Sequence, residues 1–202
     1  MAIKKFVIGG FATNMYVITK GNKAVVVDPG LDAHTVLKEL SEYEVEGVLI
    51  THSHIDHIDG VANFNAPIYV LEPDLLGFKD YTYSLYQMCY QKPQFNYQSL
   101  NINPVKDNDI INLPTFTFKV IATPGHTKGS CCYLYYNNLF SGDTLFKGSC
   151  GRTDFPGGNY LAMQKSLKRL VTELNDDVIV YPGHDDKTTI KRERQENLYI
   201  HR

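Results

Sequence analysis

Apolar residues in this chain fall in short runs separated by turn residues, which is the spacing of strands rather than of long helices. Phe6–Ile8, Met15–Thr19 and Ala24–Asp28 read as three strands, the first two split by Gly9-Gly10 and the third closed by Pro29-Gly30. Asp32 is placed to cap a helix whose apolar face is Val36, Leu37 and Leu40. Val45–Thr51 follows as a buried strand, and a loop and short helix lead to another strand at Pro67–Leu71. The second half repeats this grammar. Ile110–Leu113, Thr115–Ala122, Cys131–Tyr135 and Leu139–Ser141 read as strands, followed by a helix carrying Leu167, Leu170, Val171 and Leu174. Val178–Tyr181 is a last strand and Thr188–Tyr199 a last helix. Strand-rich halves, each closed by helices, predict two mixed sheets packed face to face with helices outside, an α/β arrangement in four layers.

Residues 74–100 interrupt the pattern. Tyr83, Tyr86 and Tyr90 recur at helical spacing and predict a packed amphipathic helix, with Leu85, Met88 and Cys89 on another face. A wall of a substrate pocket is the alternative reading, since long insertions near a site often line it.

Composition narrows the classes. The 202 residues contain no internal repeat or low-complexity linker, so one domain over 1–202 is expected. Hydrophobic residues make up 43% and charged residues 21%, which excludes global disorder. A net charge of −2 gives no electrostatic footprint for nucleic acid. Lys187, Lys191, Arg192 and Arg194 are interleaved with Glu193 and Glu196, which reads as a solvated helix face. No apolar stretch approaches a bilayer span, and the N-terminal residues show no signal peptide. Cys89, Cys131, Cys132 and Cys150 include no CxxC pair, so reduced thiols and a cytoplasmic location are expected.

The chemistry gathers where strands end. Five of the seven histidines lie just past predicted strands, most densely in Thr51-His52-Ser53-His54-Ile55-Asp56-His57. His52 and His54, two apart, project to one side of an extended segment. Pro124-Gly125-His126, Ser141-Gly142-Asp143 and Pro182-Gly183-His184 each add a histidine or aspartate past a strand. Neutral imidazole and carboxylate are ligands for zinc and related divalent metals. His34 and His201 stand apart and read as ordinary surface residues. Three histidines and an aspartate within six residues would crowd polar groups at a cost to stability unless a metal satisfied them.

His52-Ser53-His54-Ile55-Asp56-His57 matches the HxHxDH signature of the metallo-β-lactamase superfamily, and His126, Asp143 and His184 follow in that family's order. Val27-Asp28-Pro29-Gly30, Thr123–Ser130 and Ser141–Phe146 match flanking segments, so the resemblance runs from about residue 14 to 195. It implies an αββα sandwich with two divalent ions at the sheet edge, zinc ahead of iron or manganese. His52, His54 and His126 would hold one ion; Asp56, His57 and His184 the other; Asp143 would bridge them. Asp56 and Asp143 would be the catalytic carboxylates. The activity implied is hydrolysis by a metal-bridging hydroxide, which agrees with the absence of a GxSxG elbow.

Gly151–Gly158 and Pro182–Ile190 resemble the short glyoxalase II-like group, which cleaves hydroxyacyl thioesters of glutathione. The substrate implied is a small thioester or related ester, with Arg152 and Lys147 as candidate substrate contacts and no nucleic-acid or membrane partner. Longer members hold the glutathione arm with a C-terminal helical extension, whereas this sequence ends soon after His184 and leaves the thiol carrier open. Persulfide dioxygenases resemble the same group and share Gly-Arg-Thr-Asp, here residues 151–154. They bind one iron through the equivalents of His52, His126 and Asp143. A lactonase and a metal-storing protein complete the alternatives.

Overall fold

A strand that is apolar at every position needs cover on both faces. Ala24–Val27 is such a strand, each residue 1% exposed or less. In the computed structural model, which describes residues 1–201, it forms the centre of a six-stranded sheet. Within β3 (Lys23–Val27), Val25 and Val27 face the second sheet, while Ala24 and Val26 face helices. Antiparallel β2 (Thr13–Lys20) and β1 (Ala2–Ile8) lie on one side of it. Parallel β4 (Glu44–Ile50), β5 (Ile68–Leu71) and β6 (Ile102–Val105) lie on the other.

In the second sheet β7 (Ile110–Asn112), β8 (Thr117–Ala122), β9 (Cys131–Tyr135) and β10 (Asn138–Gly142) run antiparallel in turn. A small hairpin, β11 (Leu145–Phe146) with β12 (Ser149–Cys150), follows. Then β13 (Ile179–Pro182) joins β10 in parallel and β14 (Thr188–Thr189) closes the edge. Both sheets are therefore mixed, as the sequence pattern predicts. Tyr16, Ile18 and Leu49 of the first pack against Phe116, Phe118 and Phe140 of the second.

Helices α1 (Leu37–Leu40) and α2 (Ile55–Ile58) cover the first sheet. On the second sheet, α3 (Tyr160–Glu173) lays Met163, Leu167 and Leu170 against Ile121, Leu139 and Val180, with α4 (Ile190–Glu196) beside it. The α3 N-terminus is capped by Asn159, whose side chain accepts from the Ala162 amide at 2.9 Å. Among the described residues no helix is long and apolar enough to cross a membrane.

The expected elements shift in four places. Asp32 does not cap its helix: it sits at φ 63 with no side-chain cap bond, and a 3-10 turn over Ala33–Val36 precedes α1. The last helix is shorter than 188–199, because Thr188–Thr189 pairs with β13 and Thr189 then caps α4. β6 escapes the hydrophobic pattern because it carries Asn103 and Pro104, the latter tolerated on an edge strand. The amphipathic helix expected around Tyr83, Tyr86 and Tyr90 is absent; residues 81–90 form consecutive turns. Leu85 (φ 68) and Tyr90 (φ 54) are left-handed, which breaks any helix there. Tyr83 and Tyr86 are buried while Tyr90 is 98% exposed.

Polar contacts also cross the sandwich, among them the Tyr16 hydroxyl of β2, which donates to the Pro182 carbonyl of β13 at 2.7 Å. The Tyr133 hydroxyl of β9 lies 2.9 Å from the carbonyl of Ile50 in β4 and 3.0 Å from that of Tyr69 in β5. Tyr133→Phe keeps the ring and removes the hydroxyl that those two carbonyls share. Its expected cost is about 1–2 kcal/mol, a fall in Tm of about 2–8 °C for a chain of this size. An unchanged thermal unfolding curve would show that this link adds nothing to the packing.

Candidate metal centre

Parallel pairing brings the chemistry together. β3 and β4 run side by side, so Asp28 past the end of one meets Thr51 past the end of the other. β10 and β13 do the same for Asp143 and His184. Past Ile50 the chain bends at Thr51 and is extended at His54 (φ −74, ψ 151) before turning into α2. His52 and His54 thus share a side, ring centroids 4.8 Å apart. His126 enters from the loop after β8, its ring 4.7 Å from His52 and 4.6 Å from His54.

All seven residues singled out as ligands meet here. Their ligand atoms form three overlapping groups: His52, His54 and His126; Asp56, His57 and His184; and His52, His57 and Asp143 between them. Asp143 Oδ1 lies 3.5 Å from His57 Nε2, and its Oδ2 is 3.5 Å from both His126 Nε2 and His184 Nε2. Asp56 Oδ2 is 3.4 Å from both His57 Nε2 and His184 Nε2. These separations are long for hydrogen bonds. They match donors around a shared ion, since tetrahedral ligands at 2.0–2.2 Å lie about 3.4 Å apart.

Polar satisfaction points the same way. Among the described residues, Nε2 of His52, His54, His57 and His126 and Oδ1 of Asp143 are buried with no hydrogen-bond partner. Such atoms cost stability one by one, yet these five converge. The opposite ring nitrogens of His57 and His126 are occupied. His57 Nδ1 meets Asp28 Oδ2 at 3.0 Å, and His126 Nδ1 meets the Arg152 carbonyl at 2.7 Å. Partners of this kind fix the tautomer and turn Nε2 toward a metal. Burial, reinforced by neighbouring imidazoles, holds His52 and His54 well below the usual histidine range, and so in the neutral, ligating form. The donor set fits two divalent ions.

The surroundings are equally specific. A side chain at Gly183 would place Cβ 2.2 Å from Asp143 Oδ1, and one at Gly151 would come 1.9 Å from the Asp143 carbonyl oxygen. Asp56 is steadied by Thr13, whose hydroxyl donates to Oδ2 at 2.8 Å. Asp28 also accepts from the Thr51 amide at 2.8 Å and hydroxyl at 2.6 Å. Fully buried Asp74 joins both ligand loops: it accepts from the amides of Ser53 and Gly129 and the hydroxyls of Thr127 and Tyr83 at 2.8–2.9 Å. Sequence reasoning gave no role to Thr13 or Asp74 and saw Asp28 only as part of a flanking motif. Isolated aspartates and threonines carry no spacing signal, and what marks these is burial.

Above the ligands opens a cleft of about 410 Å³, walled by Phe11, Leu85, Met88, Phe146 and Phe155. Arg152 also lines it, but its guanidinium pairs with Asp154 at 2.6–2.7 Å and stacks 3.9 Å from the Phe155 ring centroid. Lys147 is not among the lining residues and lies 3.4 Å from Asp186. His34 and His201 are exposed and outside the cluster. Of the two readings of residues 74–100, the pocket wall is the one that describes Leu85, Met88 and Cys89.

A family model described as the metallo-β-lactamase superfamily matches residues 8–184. Among curated relatives, the hydroxyacylglutathione hydrolase GloC of Haemophilus influenzae is 28% identical, the match covering 99% of this chain and 98% of the relative. The solved structure of the B3 metallo-β-lactamase BLEG-1 is 31% identical at TM-score 0.91, covering 98% of this chain and 99% of the other. The structure of TTHA1623 in a di-iron-bound form is 28% identical at TM-score 0.83, covering 97% and 99%. With the sheet order, the ligand loops and these likenesses together, the chain belongs to the metallo-β-lactamase superfamily.

Proposed function

We propose that the protein hydrolyses an acyl thioester or a related ester, with two divalent ions held by His52, His54 and His126, by Asp56, His57 and His184, and by Asp143 between them. The observation that carries this reading is the convergence of five buried, partnerless donor atoms below an open cleft. Bound there, the ions supply Lewis acidity and bring the pKa of a coordinated water close to neutrality. The rest falls to the chain. Asp28 and the Arg152 carbonyl hold the rings of His57 and His126, Thr13 steadies Asp56, and the aromatic walls offer an apolar surface beside the ligands.

The cleft also bears on the leaving group. Among the described residues outside the ligand set, the protic side chains that line it are Arg152 and Cys89 alone. Arg152 is engaged by Asp154, and burial raises the Cys89 thiol above its ordinary value. Neither is poised to protonate a departing amine. A thiolate leaves without strong acid catalysis, which supports a thioester over an amide. The name of the GloC relative, a hydroxyacylglutathione hydrolase, supports the same substrate class. An iron site serving a persulfide with oxygen would use His52, His126 and Asp143 and leave Asp56, His57 and His184 without work.

The reading is tested on a panel of acyl thioesters by the thiol released. Turnover should vanish on metal removal and return with zinc or iron; turnover by metal-free protein would contradict it. Asp143→Ala should lower both activity and bound metal, activity by at least about a hundredfold. A fully metallated, active variant would remove Asp143 from its bridging place. Asp28→Asn should weaken metal retention at the His57 side by about 10–100-fold, read by competition with a chromogenic chelator. Retention equal to the parent would mean that Asp28 does not orient His57.

A further inference from the structure

One wall of the cleft comes from outside the ligand loops. Residues 81–90 carry it, and three contacts pin them to the centre of the molecule. The Ser84 carbonyl accepts from the Ile55 amide at 2.9 Å, Tyr83 donates to Asp74 at 2.8 Å and Tyr86 donates to Asp59 at 2.7 Å. Leu85 is held at φ 68, a conformation that leucine seldom adopts. Held so, it is only 6% exposed and lines the cleft beside Met88 and Cys89. Phe11, Phe146 and Phe155 line it as well.

Two features make this wall selective. Met88 is 55% exposed and Phe11 50% exposed, so the mouth presents large apolar side chains to incoming substrate. Beyond the ligands, the lining holds one cation among the described residues, Arg152, already paired with both oxygens of Asp154. A glutathione arm brings two carboxylates and an ammonium group, and a carboxylate would have to displace Asp154 to reach Arg152. A methylene chain would bury against surface already in place.

We propose that the cleft selects its substrate by an uncharged, apolar arm seated against Leu85, Met88, Phe11, Phe146 and Phe155. The inference rests on the thioester reading for the reacting group and adds the chemistry of what flanks it. The apolar arm belongs to the acyl group or to the thiol, and the experiment separates the two.

On metal-loaded protein, kcat/KM is measured for N-acetylcysteamine thioesters from acetyl to hexanoyl, for S-alkyl thioacetates of rising length, and for S-lactoylglutathione. In one of the two series kcat/KM should climb up to about fourfold per added methylene, with its longest member at least about tenfold better than S-lactoylglutathione. The series that climbs identifies the arm. Ketone analogues, with CH2 in place of sulfur, should bind with the same length dependence and a negative heat-capacity change. Met88→Ser, at an exposed position, and Leu85→Gly, which leaves the backbone free to keep its φ, should each flatten the slope. Turnover independent of length in both series, or best with S-lactoylglutathione, overturns the inference and leaves the hydrolase reading intact. Length-dependent binding of the ketones without turnover of any thioester supports the apolar arm and removes the thioester reading. Parent-like slopes in both variants overturn the placement of the wall.

Discussion

Everything in this molecule turns on a group of buried donor atoms that cannot satisfy one another. Four imidazole nitrogens and an aspartate oxygen point into one small space without hydrogen-bond partners. Left alone, each would cost on the order of 1–3 kcal/mol, a large share of the 5–15 kcal/mol by which domains are stable. Divalent cations reverse that sign. With ions bound, the same atoms would serve as ligands and the carboxylates of Asp56 and Asp143 as counter-charge. On the proposed reading, the arrangement is a load on the metal-free fold and would be a support once ions are bound.

The sheets exist in the form that can carry such a load. Parallel pairs β3–β4 and β10–β13 deliver strand ends side by side at the edge of the sandwich. There the backbone is free of the ladder and side chains can converge. The apolar layer between the sheets, crossed by the hydroxyl of Tyr133, fixes the two sets of loops relative to each other. A second ring of contacts removes the remaining freedom: Asp28 on His57, Thr13 on Asp56, Asp74 across both loops. Positions of ligands a few tenths of an ångström apart decide metal affinity, which is why this supporting ring is buried and hydrogen-bonded throughout.

The sequence displayed the candidate ligands that converge in the structure, because the histidine cluster after a strand is a strong local signal and the family resemblance adds the later His126, Asp143 and His184. His52, His54, Asp56, His57, His126, Asp143 and His184 were all legible before any coordinate. The two sheets were legible too, from valine-rich runs and turn residues. Three kinds of feature were not. β6 hides behind Asn103 and Pro104, tolerated because it is an edge. The tyrosines at 83, 86 and 90 imitate a helix, but hydrogen bonds from Tyr83 to Asp74 and Tyr86 to Asp59 override that periodicity. Asp74 gives no local sign of its role, since its five donors come from residues 53 to 129. Tertiary hydrogen bonding of this sort leaves no period in the chain.

The central claim is that these seven side chains form a two-ion site, and counting metal tests it most directly. Protein purified without added metal should carry close to two divalent ions per chain, and their removal should lower its thermal stability, since only the folded state offers the site. A chain that binds no metal, with a melting curve indifferent to chelator, would contradict the account. One iron per chain would contradict the two-ion claim and turn the reading toward oxygen chemistry.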